Sequence, residues 1–370
     1  MPEAAMGRFT GGEAARSGDA RIDAKRAKWA RFYDMASPSP NLYIIHYKEH
    51  EGAESVPMPV SGPMEGDPDK KRLEWFWSNY NRHLENSAWL KDDRVPALNG
   101  MYCFTGTEIF AEAFGCKVQR YDRQAPFALP MVSRASEAAK VRKPDLERTS
   151  LCKLFEFVDK LRAMSGGVGL VKLPDIQSPM DIVALIWDKN DLYMALYDEP
   201  EAVRELASMV KTLMAEFLDA WFTRYGTDFL AHFPDYYMPY GVTLSEDEIG
   251  AVGRDHYGEF FLGELNDLSD RYGAMGIHCC AHARHQWGGL REVRNLRLLN
   301  LDPGQANLWD AYDFFKDRCA QWHAWYDRGR HLSHDLGWLP GGARFIVDAH
   351  AETKDEALRL SERLYAECGN

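Results

Sequence analysis

Short β-type runs separated by helical stretches recur about seven times along this chain, and no other feature limits its fold so strongly. The runs fall at Val95–Phe104, Val168–Leu173, Asp228–Phe233, Gly276–Cys280, Leu296–Leu301, His331–Leu336 and Arg344–Val347. Between most of them, Glu201–Tyr225, Glu246–Tyr272, Trp309–Trp325 and Lys354–Cys368 carry apolar residues at helical spacing. A strand joined to its successor through a helix makes a crossover, so the repeated unit predicts a parallel sheet. Seven or eight such units over roughly 280 residues predict an α/β fold of the (β/α)8 barrel type rather than an open doubly wound sheet. No Gly-x-Gly-x-x-Gly or Walker-type glycine run follows any of the strands, which counts against a nucleotide-binding open sheet.

Ahead of the repeat, residues 1–20 are rich in Gly, Ala, Ser and charge and are expected to be a flexible leader. Residues 21–94 are expected to form an extension packed on the barrel, and residues 95–370 the barrel itself. Within the extension the pattern predicts a helix from Arg21 to Met35, a strand over Asn41–Tyr47, a loop from Gly52 to Lys71 and a helix over Lys71–Leu90.

The 370 residues hold 44 Lys and Arg against 56 Asp and Glu, a net charge of −12. That balance disfavours nucleic acid or an anionic membrane as the main partner, while leaving room for a few arginines to gather around an anionic substrate. No apolar run approaches the 18 residues that a membrane span requires, and the N-terminus has no apolar signal core. Seven cysteines, with Cys279 and Cys280 adjacent, fit reduced thiols better than a disulfide framework. The expectation is a cytoplasmic protein acting on a small molecule, with a homodimer as the general prior for a barrel of this size.

In a parallel barrel the chemistry lies where the strands end. The polar residues at those positions are Thr105, Thr107 and Glu108; Asp175, Gln177 and Ser178; His232, Asp235, Tyr236 and Tyr237; His278, Cys280, His282 and His285; Asp302; His334 and Asp335; and Asp348 and His350. The segment from Gly276 to His285 is the most chemically loaded. Alternation along a strand puts His278 and Cys280 on one side and Cys279 on the other. An imidazole and a thiolate two residues apart can give zinc two of its ligands, with a third from elsewhere. From spacing alone, the same residues read more readily as a core histidine beside buried cysteines. Asp235 suits a positioned acid or a turn-former. Glu108 and Glu112 share a helix face, which reads first as a solvated face, and Asp181, after Ser178-Pro179, reads as structural at a helix start.

The segments DIQSPMDIVALIW and LYDEPEAVRELASMVKTLMAEFLDAW resemble the uroporphyrinogen decarboxylase superfamily. So do LSEDEIGAVGRDHYGEFFLGELNDLSDRYGAMGIHCCA and FTGTEIFAEAFG, and the likeness runs from about Val95 to the C-terminus. The resemblance implies a (β/α)8 barrel and one of two chemistries. One branch decarboxylates uroporphyrinogen without a cofactor, the other moves methyl groups to or from a corrinoid or a thiol on zinc.

The residues that grip uroporphyrinogen in the first branch are missing. There is no Arg-Gln-Ala-Gly-Arg stretch, Gly106 stands where an aspartate is expected, and Leu185 falls near the position of a tyrosine. For the second branch, His278 and Cys280 match the zinc pair, while the third cysteine is replaced by Gly342 or His350, depending on the anchor. The resemblance therefore implies Zn2+ on His278, Cys280 and His350, with a corrinoid on a separate protein. Asp235 and Glu108 would position substrate or move a proton, and Tyr236, Tyr237 and Trp187 would wall the pocket together with Asp175. The alternative is a cofactor-free decarboxylase or lyase on another carboxylate, with Arg284 as anchor and His278 or His350 as proton donor. A third reading is a barrel that has lost its chemistry and serves as an assembly partner.

Overall fold

The computed structural model describes residues 17–47, 68–99, 106–121, 125–304, 308–323, 336–337 and 339–369. Thr105, His334, Asp335 and nearly all of the strand expected at His331–Leu336 lie outside the described residues, as do most of the leader and of the Gly52–Lys71 loop.

Among the described residues nine strands carry the architecture: β1 (Leu42–Tyr47), β2 (Ala97–Leu98), β3 (Leu170–Val171), β4 (Phe229–Leu230), β5 (Val242–Ser245), β6 (Met275–Cys279), β7 (Leu296–Leu301), β8 (Ala320–Gln321) and β9 (Ile346–Ala351). Parallel ladders join β2 to β3, β5 through β8 in order, and β1 to β9. Single parallel bridges, Lys172 to Leu230, Gln177 to Ser245 and Gln321 to Phe345, connect these ladders. The strands thus follow one another in chain order, except that β1 lies beside β9.

Where β1 approaches the segment leading into β2, side chains replace most of the ladder. Asp93 N–H donates to the Tyr43 carbonyl at 2.9 Å, but the Tyr43 and Ile45 amides donate to the carboxylates of Asp93 and Asp92 at 3.0 and 3.2 Å. Lys25 and Lys28, on helix α1 (Ala20–Phe32), hold those carboxylates in turn. The described ladders do not form one continuous ring.

The helices follow local rules. In α2 (Pro68–Ser87) the helical spacing is as expected. α3 (Pro179–Ile186) starts at Ser178, whose hydroxyl accepts the Asp181 N–H, and takes Pro179 in its first turn. α4 (Pro200–Tyr225) and α6 (Lys354–Glu367) fall close to their expected ranges, and Thr353 caps α6. The helix expected over Glu246–Tyr272 is broken into two short turns and a π-helical turn over Tyr257–Phe261 before α5 (Leu262–Tyr272). Gly250 marks the break: a Cβ there would sit 2.7 Å from the Ala281 Cβ, so the loop after β6 can lie against it. Trp309–Trp325 is likewise not one helix. It is helical only over Trp309–Phe314, and the apolar run that follows becomes β8 beside β7. The strand β5 was not expected at all.

Alternation sets which side chains face the enclosed side of the strands. Leu42 and Ile44 of β1 and Ile346 of β9 join the main core, whereas Tyr43, Ile45, Val347, Ala349 and Ala351 pack outward with Ala357 and Leu364 of α6. His46, Asp348 and His350 therefore continue the inward-facing rows at the strand ends. β1 was expected in an extension packed on the barrel, and its parallel pairing with β9 makes it part of the sheet.

Candidate active site

The inward-facing positions at the ends of β1, β3, β5, β6, β7 and β9 are polar; those of β3, β5, β6 and β7 meet in one region, and those of β1 and β9 meet beside it. Gly276 explains how the layer beneath is filled: a Cβ there would overlap the Tyr236 hydroxyl, so the tyrosine ring occupies the space that β6 leaves open. Tyr236 is fully buried, as are Trp187, at the end of α3 bridged to Val132, and Tyr237. The Tyr237 hydroxyl donates to Asp228 at 3.3 Å beside Arg26, at the start of β4 rather than its end. These three aromatics were expected to wall the pocket; they are core, because their rings are consumed in packing.

His278 is half-buried, and its Nδ1 lies 2.5 Å from Asn300 Oδ1. The Asn300 amide is fixed by its Nδ2, which donates to the Trp322 carbonyl. Oδ1 is then the acceptor, Nδ1 carries the proton, and Nε2 keeps its lone pair. The ring of Phe233 stands edge-on to His278 at 4.9 Å. Cys280 is exposed, and its N–H donates to Asp247 Oδ1 at 2.6 Å. Partial desolvation first, and the Asp247 carboxylate second, push its thiol up to about 12.

Next to His278, buried His232 sets its Nε2 2.9 Å from the Ser245 hydroxyl, which donates to Asp175 at 3.2 Å. Ser245 spends its proton on Asp175, so His232 donates from Nε2. Burial holds its pKa down to about 4 against the pull of Asp175, keeping the ring neutral. Asp235 pairs with the buried Lys172 at 2.6 Å. Burial pushes the Asp235 carboxyl up, but Lys172, with Arg94 and His83 behind it, holds it below the usual range.

Three expected site residues lie elsewhere. Arg284 is exposed, ion-paired with Asp310 and laid over the Trp287 ring, so it is not an anchor in the mouth. Glu108 is buried, accepts the Gly106 N–H at 2.7 Å and faces Arg120. It lines a separate cavity of about 480 Å³ with residues of α2 and of the helix Cys152–Met164. His350 stacks on His46 with ring centroids 4.8 Å apart. Of the other strand-end residues, His282 is exposed and His285 contacts the Val252 carbonyl.

His278 and Cys280 suit zinc in donor type, and Asn300 gives the histidine the tautomer a metal ligand needs. Among the described residues no group of three His, Cys, Asp or Glu side chains is arranged to hold a metal ion, so His350 does not complete the pair there.

Sequence reasoning missed Lys172, Asn300, Asp247 and the cluster at the end of β1. His46 was within reach, since it ends a strand that had been read as one. Asp247 was not, because it acts through a bond to another strand's backbone.

Several comparisons bear on this arrangement. The family model for uroporphyrinogen decarboxylase (URO-D) matches residues 94–315. Among solved structures, a methyltransferase from Methanosarcina mazei superposes with a TM-score of 0.62 at 9% identity, over 93% of this chain and 98% of that one. At that identity the likeness concerns the fold. A comparison with curated protein sequences finds no match. No described helix is long and apolar enough to cross a membrane.

Proposed function

The chain belongs to the uroporphyrinogen decarboxylase family, and we propose that it is a (β/α)8-barrel enzyme that transfers a methyl group between a small methylated substrate or thiol and a corrinoid carried by a partner protein. The observation that supports this reading is the state of His278. Asn300 holds the Nδ1 proton, so the Nε2 lone pair is available, two residues before Cys280 at the end of β6. His278 and Cys280 would hold zinc. Bound there, zinc supplies Lewis acidity toward a thiol or a methyl-bearing heteroatom.

The chain's own residues do the rest. Asp247 pins the backbone at Cys280, Phe233 packs against the His278 ring, and neutral His232 orients Ser245 and Asp175. Asp235, kept ionised by Lys172, is placed to accept a hydrogen bond from substrate.

The test is anaerobic demethylation of methylcob(III)alamin by the zinc-supplied protein with a small thiol, followed in the corrinoid's visible spectrum. Turnover by the wild type that is lost in His278→Ala supports the reading. No turnover under any zinc supply would sink it.

A second reading, cofactor-free carboxy-lyase chemistry, is favoured by one observation: among the described residues no third His, Cys, Asp or Glu side chain joins His278 and Cys280 in a metal-holding group. Carbon dioxide release from a carboxylate substrate by metal-free protein would select it.

A further inference from the structure

Beside the mouth, a cavity of about 300 Å³ is lined by His46, Asn79, Arg82, His83, Arg94 and His350, among others. Four of its residues, Asn79, Arg82, His83 and Asn86, recur at helical spacing and so form one face of α2. All four are half-buried. An amphipathic helix normally turns apolar side chains inward, as α2 does with Phe76 and Tyr80, and this further half-buried face carries polar side chains. We propose that this cavity is an oxyanion subsite, in which Arg82 and the α2 donors hold a carboxylate or phosphate group of a small-molecule ligand while the rest of it reaches the mouth.

Arg82 carries the argument, because among the described residues it forms neither an ion pair nor a hydrogen bond. The acid nearest to hand is already engaged. Asp92 is buried, paired with Lys25 at 3.2 Å, and accepts the Ile45 N–H. Arg94 donates to His46 Nδ1 at 3.2 Å, which leaves that imidazole its proton on Nε2, 2.7 Å from Asp348 Oδ1. The wall opposite α2 is therefore ordered by Arg94, His46 and Asp348, while Arg82 lines the cavity with no described carboxylate paired to it. A half-buried guanidinium without a partner is costly, and an oxyanion that accepts its forked donors removes that cost.

The family match does not account for this site. It begins at Arg94, and His46, Asn79, Arg82, His83 and His350 all fall outside residues 94–315. The cavity is reached electrostatically from the mouth as well, since Arg94 and His83 both act on Asp235. Only the statement that the ligand is the enzyme's substrate rests on the function proposed above; the binding site itself does not.

Isothermal titration calorimetry on the full chain tests it, with succinate, inorganic phosphate and the neutral succinamide as probes. The wild type should bind at least one of the two anions and not succinamide, the better anion naming the group. Arg82→Gln should weaken that binding about tenfold or more, the value of a charged hydrogen bond. Arg82→Lys should recover part of it, and Arg134→Gln, a surface arginine paired with Glu137, should change nothing. Retained secondary structure in Arg82→Gln by circular dichroism excludes misfolding as the cause. Equal affinities in wild type and Arg82→Gln, binding of succinamide as tight as that of succinate, or no binding of either anion would each overturn the proposal. Zinc measured in the same samples separates the two readings: anion binding by a zinc-free wild type would sustain the subsite and count against methyl transfer on zinc.

Discussion

His278 and Asn300 sit on adjacent strands, in register, with the imidazole Nδ1 2.5 Å from the amide oxygen and the amide itself tied to the Trp322 carbonyl. This contact decides which nitrogen of His278 faces the mouth with a lone pair, and most of the site's chemistry follows from it.

Replacing Asn300 with Leu removes the acceptor and frees the imidazole to turn or change tautomer. The expected outcome is a drop of about 10–100-fold in metal affinity or turnover, the usual effect of losing the partner of a metal-bound histidine. Asn300→Asp, which keeps the acceptor, should recover much of it. Zinc titration with a chromophoric chelator reads both.

The Lys172–Asp235 pair links β3 to the turn after β4. Lys172→Met leaves a partly buried carboxylate without its cation, and because Asp235 retains some solvent contact the expected loss is about 1–3 kcal/mol at neutral pH. The sign with pH follows from the lowered carboxyl pKa. The pair's stabilisation is present above the unfolded-state carboxylate pKa and is lost as pH falls through the folded value. Denaturant midpoints of wild type and Lys172→Met should therefore converge in acid, below about pH 4.

Behind Cys280 lies a second acidic group with the opposite sign. Asp181 accepts the Asp247 and Glu248 N–H groups at 2.6 and 2.9 Å, yet burial first and the Asp247 charge second raise its carboxyl to about 7. Glu246, fully buried beside it, is pushed well above the carboxylate range for the same reasons. Carboxyls that hold protons longer in the folded state stabilise it below their unfolded pKa and lose that contribution as pH rises through the folded value. Thermal stability should thus fall between about pH 5 and 8. Glu246→Gln should flatten that slope, which a Tm series across pH will show.

Gly276→Ala probes the filled layer under the site. Its methyl would meet the Tyr236 hydroxyl and, at 2.9 Å, Thr243 Cγ2. Overpacking of this kind costs about 1–3 kcal/mol. Tyr236→Phe in the same chain should recover part of it, and urea unfolding of the single and double variants checks the coupling.

The strand and helix repeat was legible because each unit has its own period and its own turn residues, as with β7 and α6. The place of β1 was not. Leu42 pairs with Ile346, far away in sequence, and no local pattern carries such a partnership. The site divided in the same way. His278, Cys280, Asp175, His232 and Asp235 were visible as strand ends, whereas Tyr236 and Tyr237 passed the same test and proved to be core. Strand-end position does not say whether a ring points into a layer already closed by packing. Lys172 and Asn300 escaped because they lie inside apolar runs, where sequence alone suggests nothing but the core.

The central claim is that His278 and Cys280 hold zinc, and metal content by inductively coupled plasma mass spectrometry tests it most directly. Protein produced with ample zinc should carry about one ion per chain, as a mononuclear catalytic site would. Cys280→Ala should lose it, and His350→Ala, whose ring stacks on His46, should keep it. A zinc-free wild type, or zinc that survives Cys280→Ala, would contradict the account.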